Sequence, residues 1–175
     1  MKSTISVAKL SKMSKEQLDE LFKSHSPGEI PIGDTYGRAI IVPGTKFDKI
    51  LATFIRWFIW QGKHFDPVTG TLRNKVSIFS IRAIKADVYK DKSWMDGKET
   101  IVLDYSKTSF VAQKVRDEIR EVEPGLYLGK AYWGQKRLID FTLVPAKPKY
   151  WLSRFFSAIL ILLVAGVVYF SLRFT

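Results

Sequence analysis

The chain of 175 residues carries 28 Lys and Arg against 17 Asp and Glu, a net charge of +11, and has no cysteine. This excludes a disulfide framework and a thiol nucleophile, and the single asparagine, Asn74 in NKV, is no N-glycosylation acceptor. The basic residues are interspersed with acids, and no RNP, zinc-finger or helix-turn-helix pattern occurs, so nucleic acid is not an expected partner.

Residues 1–150 hold 26 of the 28 basic residues and all 17 acidic ones, leaving +9 there. That length suits one domain with a real core. A basic surface of this kind is drawn to anionic lipid headgroups.

The opening MKSTISVAKL lacks a continuous apolar run and does not read as a secretory signal. A short helix follows, with Ser14 and Gln17 as a capping box, Met13 stapled onto Leu18, and Leu18, Leu21 and Phe22 as its apolar side. SHSPGEIPIGDTYG is punctuated by Pro and Gly, so this helix ends by about Ser26. RAIIV at 38–42 is a predicted strand, closed by Pro43-Gly44. Over 46–61, Phe47, Ile50, Leu51, Phe54, Ile55, Phe58 and Ile59 recur with helical spacing, and Trp57 and Trp60 widen that face. Such a helix packs on a sheet, touches a bilayer interface, or forms a lid.

Beyond it the period changes to two. KHFDPVTGTLRNKV reads as a hairpin around residues 67–70, and SIRAIKADVYK as a strand alternating at Ile84, Ala86 and Val88. Asp96-Gly97 turns into ETIVLDYS, where Ile101, Leu103 and Tyr105 share a face. Val111, Val115, Ile119 and Val122 then form a helical stripe, capped at Ser109 and stopped by Pro124-Gly125. LYLGKAYW and KRLIDFTLV complete the domain as strands joined through Gly134, the second with Ile139, Phe141 and Leu143 on one face. These elements describe an α+β domain, mainly an antiparallel curved sheet that can close into a small barrel, with two or three helices. A barrel interior is a natural ligand cavity. Arg82, Tyr105, Tyr127 and Tyr132 are its candidates for fixing a polar ligand end, though each also fits plain strand packing.

Catalytic patterns are sparse. GLYLGK at 125–130 is one residue short of a P-loop, places Ala131 where Ser or Thr must hold magnesium, and reads as a strand. There is no GxSxG elbow and no HExxH. His64 and Asp66 stand two apart on one strand face, so an acid/base pair is geometrically possible, but such spacing also arises by chance. His25 lies in a loop, and with two histidines and no cysteine neither a metal site nor a cofactor is expected.

The ending, WLSRFFSAILILLVAGVVYFSLRFT, has 18 uncharged residues from Phe155 to Leu172 and no polar stripe. As a helix it measures about 27 Å, close to the hydrocarbon core of a bilayer. Tyr150 and Trp151 at one end and Tyr169 and Phe170 at the other suit aromatic belts. Lys136, Arg137, Lys147, Lys149 and Arg154 precede the span and only Arg173 follows, so the domain is expected on the cytoplasmic side of a single-pass, tail-anchored protein. The expected organisation is a helix and linker over 1–30, a β-rich domain over 31–146, and a basic linker with the transmembrane anchor over 147–175.

The blocks WFIWQGKHFD, VYKDKSWMDGKETIVLDYS and GLYLGKAYWGQKRLIDFTL come in an order similar to that of GXWXG-type lipocalin-like domains, over about residues 30–145. Gly33 and Gly37 stand at the glycines of the name-giving motif, with Thr35 in place of its tryptophan. The resemblance implies a lipocalin-like barrel for small apolar ligands and supplies no reaction. The expected function is membrane-anchored binding of a lipid-like or other apolar small molecule, with membrane lipids beside it. An accessory subunit packing its helix on a transmembrane partner is the alternative, with Ala158, Ala165 and Gly166 allowing close approach. A lipid-modifying enzyme using His64 and Asp66 is the third reading.

Overall fold

The computed structural model describes residues 5–40, 60–76, 84–108 and 112–146. Two short helices, α1 (Val7–Leu10) and α2 (Lys15–Lys23), precede eight strands: β1 (Gly33–Ile40), β2 (Trp60–Asp66), β3 (Thr71–Val76), β4 (Lys85–Lys92), β5 (Glu99–Asp104), β6 (Val115–Glu123), β7 (Leu126–Trp133) and β8 (Lys136–Pro145). Each strand pairs antiparallel with the next, and β8 pairs back onto β1, so the sheet closes into a barrel without free edges.

Tight turns at Pro67–Gly70, Asp96-Gly97 and Gly134 join their strands as the sequence predicts. Along each strand the two-residue period sends alternate side chains inward. The inner core is Phe65 of β2, Leu72 of β3, Ala86 of β4, Ile101 and Leu103 of β5 with Tyr105 just beyond, Val115 and Ile119 of β6, and Phe141 and Leu143 of β8, among others. Gly129 of β7 faces the Phe141 ring, where a Cβ would sit 2.2 Å from a ring carbon. Gly62 (φ +131°) lies so close to β1 that a Cβ would fall 1.8 Å from the Thr35 carbonyl oxygen. Only glycine lets the two backbones approach this closely.

The helices cover the barrel's outer face. The capping box of α2 forms as expected, with Ser14 Oγ accepting from Gln17 N and Gln17 Oε1 from Ser14 N. Leu18 and Phe22 are fully buried, in a second core with Leu10, Ile40, Val122, Leu126 and Leu128; Met13 and Leu21 pack at its edge. Burying a side chain of this size contributes about 2–3 kcal/mol. The turn of helix α1 had no counterpart among the sequence expectations.

Charges then lock the helix in place. Asp19 Oδ1 accepts from Lys130 Nζ at 2.7 Å and from Arg137 Nη1 at 2.5 Å, and both cations also reach Asp140. From the other side Arg120 donates to the Phe22 carbonyl oxygen at 3.0 Å and binds both carboxylate oxygens of Asp96. The Phe22 ring lies between the two, 4.5 Å from the Arg120 guanidinium carbon and 5.1 Å from Lys130 Nζ.

This dressing makes stability pH-dependent. The Arg120 hydrogen bonds hold Asp96 below the usual carboxylate range, against the pull of burial. Burial pushes Asp19 up, but the Lys130 hydrogen bond and charge, with those of Arg137, outweigh it and leave Asp19 lowered. A carboxyl lowered by folding contributes stability above its unfolded value and loses it as the pH falls through the folded one. The melting temperature should therefore hold above pH 4, then fall as the pH drops below the ordinary 3.8 toward the depressed values. Asp96→Asn should start lower at neutral pH and show a shallower acid slope; parallel curves for the two proteins would contradict this.

Two expectations are corrected. The stripe read as a helix over 111–122 is strand β6 from Val115 onward, with Val115 and Ile119 inward; Ser109 and Val111 lie outside the described residues. A four-residue step keeps to one face of a helix and of a strand alike, so these two valine and isoleucine positions fit both. Val122 stands three positions from Ile119, so plain alternation turns it, like Arg120, to the outer face and the second core. The strand read as RAIIV begins earlier, at Gly33, and Ile41 and Val42 lie outside the described residues. Of the helix expected over 46–61, Trp60 and Gln61 belong to β2 and the rest lies outside the described residues. So does the span at 155–172; among the described residues no helix is long and apolar enough to cross a membrane.

Candidate functional site

Inside the barrel sits a group that an apolar core does not require. On β2 the inward positions are Lys63 and Phe65, and the partners directly opposite on β3 are Asn74 and Leu72. On β6 Asp117 lies inward between Val115 and Ile119, opposite Leu103 of β5. Closure of the sheet brings these together with Tyr105. Lys63 Nζ donates to Asp117 Oδ2 and Asn74 Oδ1, each at 2.9 Å, and to Tyr105 Oη at 2.5 Å. Tyr105 Oη also lies 3.2 Å from Asp117 Oδ2. The rings of Tyr105 and Phe141 flank the ammonium at 5.2 and 5.8 Å.

None of this cluster reaches solvent: Lys63 and Tyr105 are 0% exposed, Asp117 1% and Asn74 3%. Burial lowers Lys63, while attraction to Asp117 and its hydrogen bond pull back toward the charged form. Burial and the Asp117 charge both push Tyr105 well above its ordinary range, so it remains a phenol. An ammonium has three donors, and the three short bonds use them all. Asp117 is used on one side only. Its Oδ1 is buried without a hydrogen-bond partner.

The residues singled out from the sequence distribute as follows. Tyr105 belongs to the inner cluster. Tyr127 lines the inner core, but its hydroxyl donates to the Glu29 carbonyl oxygen, and burial pushes it up to about 12. Tyr132 lies on the outer wall near Asp140, Arg137 and Asp19, its ring edge-on to Trp94 at 5.4 Å. Arg82 lies outside the described residues. His64 faces outward and its Nδ1 pairs with Asp34 Oδ1 at 2.8 Å. Asp66 instead accepts from the backbone N–H groups of Val68 and Thr69, holding the hairpin turn. The two are therefore on neighbouring positions of one face but bonded to different partners. Lys130, from the P-loop look-alike, is on strand β7 and holds α2. Among the described residues no three His, Asp or Glu side chains gather at metal-binding distance.

Lys63, Asn74 and Asp117 were missed. The signal was present: an inward Phe65 places Lys63 inward too, and Leu72 does the same for Asn74. His64 and Asp66 occupy the outward half of the same strand.

The described residues form an eight-stranded up-and-down antiparallel barrel with a charged cluster in its interior. It is similar in fold to a protein of known crystal structure from Thermomonospora curvata, with a TM-score of 0.54 and 18% sequence identity, covering 77% of this chain and 89% of that one. No family model and no curated protein matches the chain.

Proposed function

We propose that this protein binds an apolar small molecule inside its barrel and fixes one end of it at the Lys63–Asp117 cluster. The observation that carries the reading is the buried ion pair with an unpartnered oxygen, set in an otherwise apolar wall. A buried pair is a poor source of stability, because desolvating both charges offsets their attraction. A binding role gives it a use: a few placed polar groups in an apolar pocket orient a ligand. The similarity of three sequence blocks to GXWXG-type lipocalin-like domains points the same way.

The membrane completes the proposal. Residues 155–172 would moor the barrel on the cytoplasmic face of a bilayer, with its basic surface toward anionic headgroups. A ligand of low water solubility then has only a few nanometres to travel, since the anchor raises its local concentration. The reading as an accessory subunit of a membrane complex, and that as a lipid-modifying enzyme, gain no observation of their own from the barrel.

Photolabelling tests the proposal. The full chain, reconstituted in lipid nanodiscs, is offered sixteen-carbon diazirine probes as the acid and as the alcohol, then digested and mapped by mass spectrometry. Adducts on Phe65, Leu103 or Phe141 are the expected result. Labelling confined to 155–172, or none with either probe, would remove the binding role.

A further inference from the structure

The interior cluster also selects the head of its ligand, an inference that rests on the binding role just proposed. Fatty acids suggest themselves for a barrel beside a membrane, with Lys63 as the natural partner of a carboxylate. The hydrogen bonds argue against that pairing. All three Lys63 donors are committed, to Asn74 Oδ1, Tyr105 Oη and Asp117 Oδ2. An incoming carboxylate would meet an acceptor with no partner, Asp117 Oδ1, and would have to strip Lys63 from bonds already made. Its charge would also stand close to that of Asp117.

An ammonium head fares no better. Lys63 and Asp117 already balance one another, so a second cation enters a water-excluded space without a counterion of its own, beside the Lys63 ammonium. A neutral donor has neither difficulty. It gives one hydrogen bond to an oxygen that lacks one, and a buried acceptor left unpaired is costly. Asp117 Oδ1 lies on the inner wall, on a residue 1% exposed, between the inward side chains of Val115 and Ile119. A donor reaching that point would set its body against these apolar side chains and its head against the unpartnered oxygen.

We propose that the barrel's ligand is a neutral, largely apolar molecule whose hydroxyl group donates to Asp117 Oδ1, and that charged amphiphiles of the same length are rejected. A fatty alcohol is the simplest member of that class.

Competition in nanodiscs decides the matter on the unmodified full chain. Sixteen-carbon alcohol, acid, amine and alkane, each with the same diazirine, are titrated while adducts on the interior residues are counted. The alcohol is expected to reach half-saturation at a concentration at least tenfold below the acid and the amine. Equal or better labelling of the same interior residues by the acid overturns the choice of head and leaves the binding role standing. No interior labelling by any probe overturns both. The double variant Lys63→Met with Asp117→Leu supplies a second readout. It removes the open acceptor without stranding a charge, so the alcohol should fall back to the level of the alkane. An undiminished preference for the alcohol in that variant would place the selecting group elsewhere and defeat the assignment.

Discussion

Replacing Lys63 by methionine is expected to lower folding stability by ~3–5 kcal/mol, and replacing Asp117 by leucine as well should restore most of that loss. The single change keeps the apolar stem but leaves the Asp117 carboxylate in the barrel with no cation beside it, while Asn74 Oδ1 loses the nearer of its two donors and keeps only the Tyr105 hydroxyl at 3.4 Å. Breaking a buried pair from one side costs this much because the surviving charge has neither water nor a counter-charge, and the Tyr105 hydroxyl alone does not replace one. The double change removes both charges and fills similar volume with apolar groups, which join Phe65, Leu103 and Phe141. Denaturant melts of the four proteins form a complete cycle, and the coupling between the sites should be at least about 2 kcal/mol. A Lys63→Met protein as stable as the parent would mean that the ammonium is not where the barrel needs it. A double variant that is stable but no longer selects the alcohol would separate the cluster's contribution to folding from its contribution to binding.

The second large effect lies on the outer wall. Arg120→Met should cost ~3–5 kcal/mol, and here removal of Asp96 should not repair it. Arg120 is 0% exposed, and its guanidinium spends all five donors: Nε on the Glu99 carbonyl oxygen, Nη1 on Phe22 O and Asp96 Oδ2, and Nη2 on Asp96 Oδ1 and Lys98 O. Only the Asp96 contacts are charge pairing. The three carbonyl oxygens remain when Asp96 is neutralised, and an unsatisfied buried acceptor costs about 1–3 kcal/mol. Lysine cannot substitute, because a point charge with three donors does not reproduce a planar fork with five. The loss should be visible locally as well. Phe22 O ties the last turn of α2 to β6, so residues 15–23 should become open to protease before the barrel melts. A variant that keeps both its stability and its protease resistance would show that α2 holds without Arg120.

Elements defined by neighbouring residues were legible. The Ser14–Gln17 box, the hairpin at 67–70, the Asp96-Gly97 turn and the Gly134 turn all depend on contacts within a few residues. Inward faces were legible where the strand was uniformly apolar, as in Ile101, Leu103 and Tyr105, or Ile139, Phe141 and Leu143. Strand β6 was not. Its inward row reads Val115, Asp117, Ile119, and a charge in the middle erases the alternation that marks a strand. What remained was the four-residue step from Val115 to Ile119, which two geometries share. In β2 an inward Lys63 beside Phe65 obscured the face in the same way. The Pro- and Gly-punctuated stretch that ends the helix also hid the start of β1, which holds both Gly33 and Gly37.

By itself, then, the sequence determined the local pieces: a capped amphipathic helix, tight turns, and most of a run of antiparallel strands, which it left able to form either an open curved sheet or a closed barrel. It also held the long uncharged segment at 155–172, which the described structure does not reach. Only the tertiary structure decided that Lys63 and Asp117 meet. They are 54 positions apart and on strands that are not neighbours in the sheet. Hydrophobic alternation records which side chains leave water, and a charge is placed inside against that pattern only when ring closure delivers its counter-charge. That delivery is a property of the closed barrel, and no stretch of a few residues carries it.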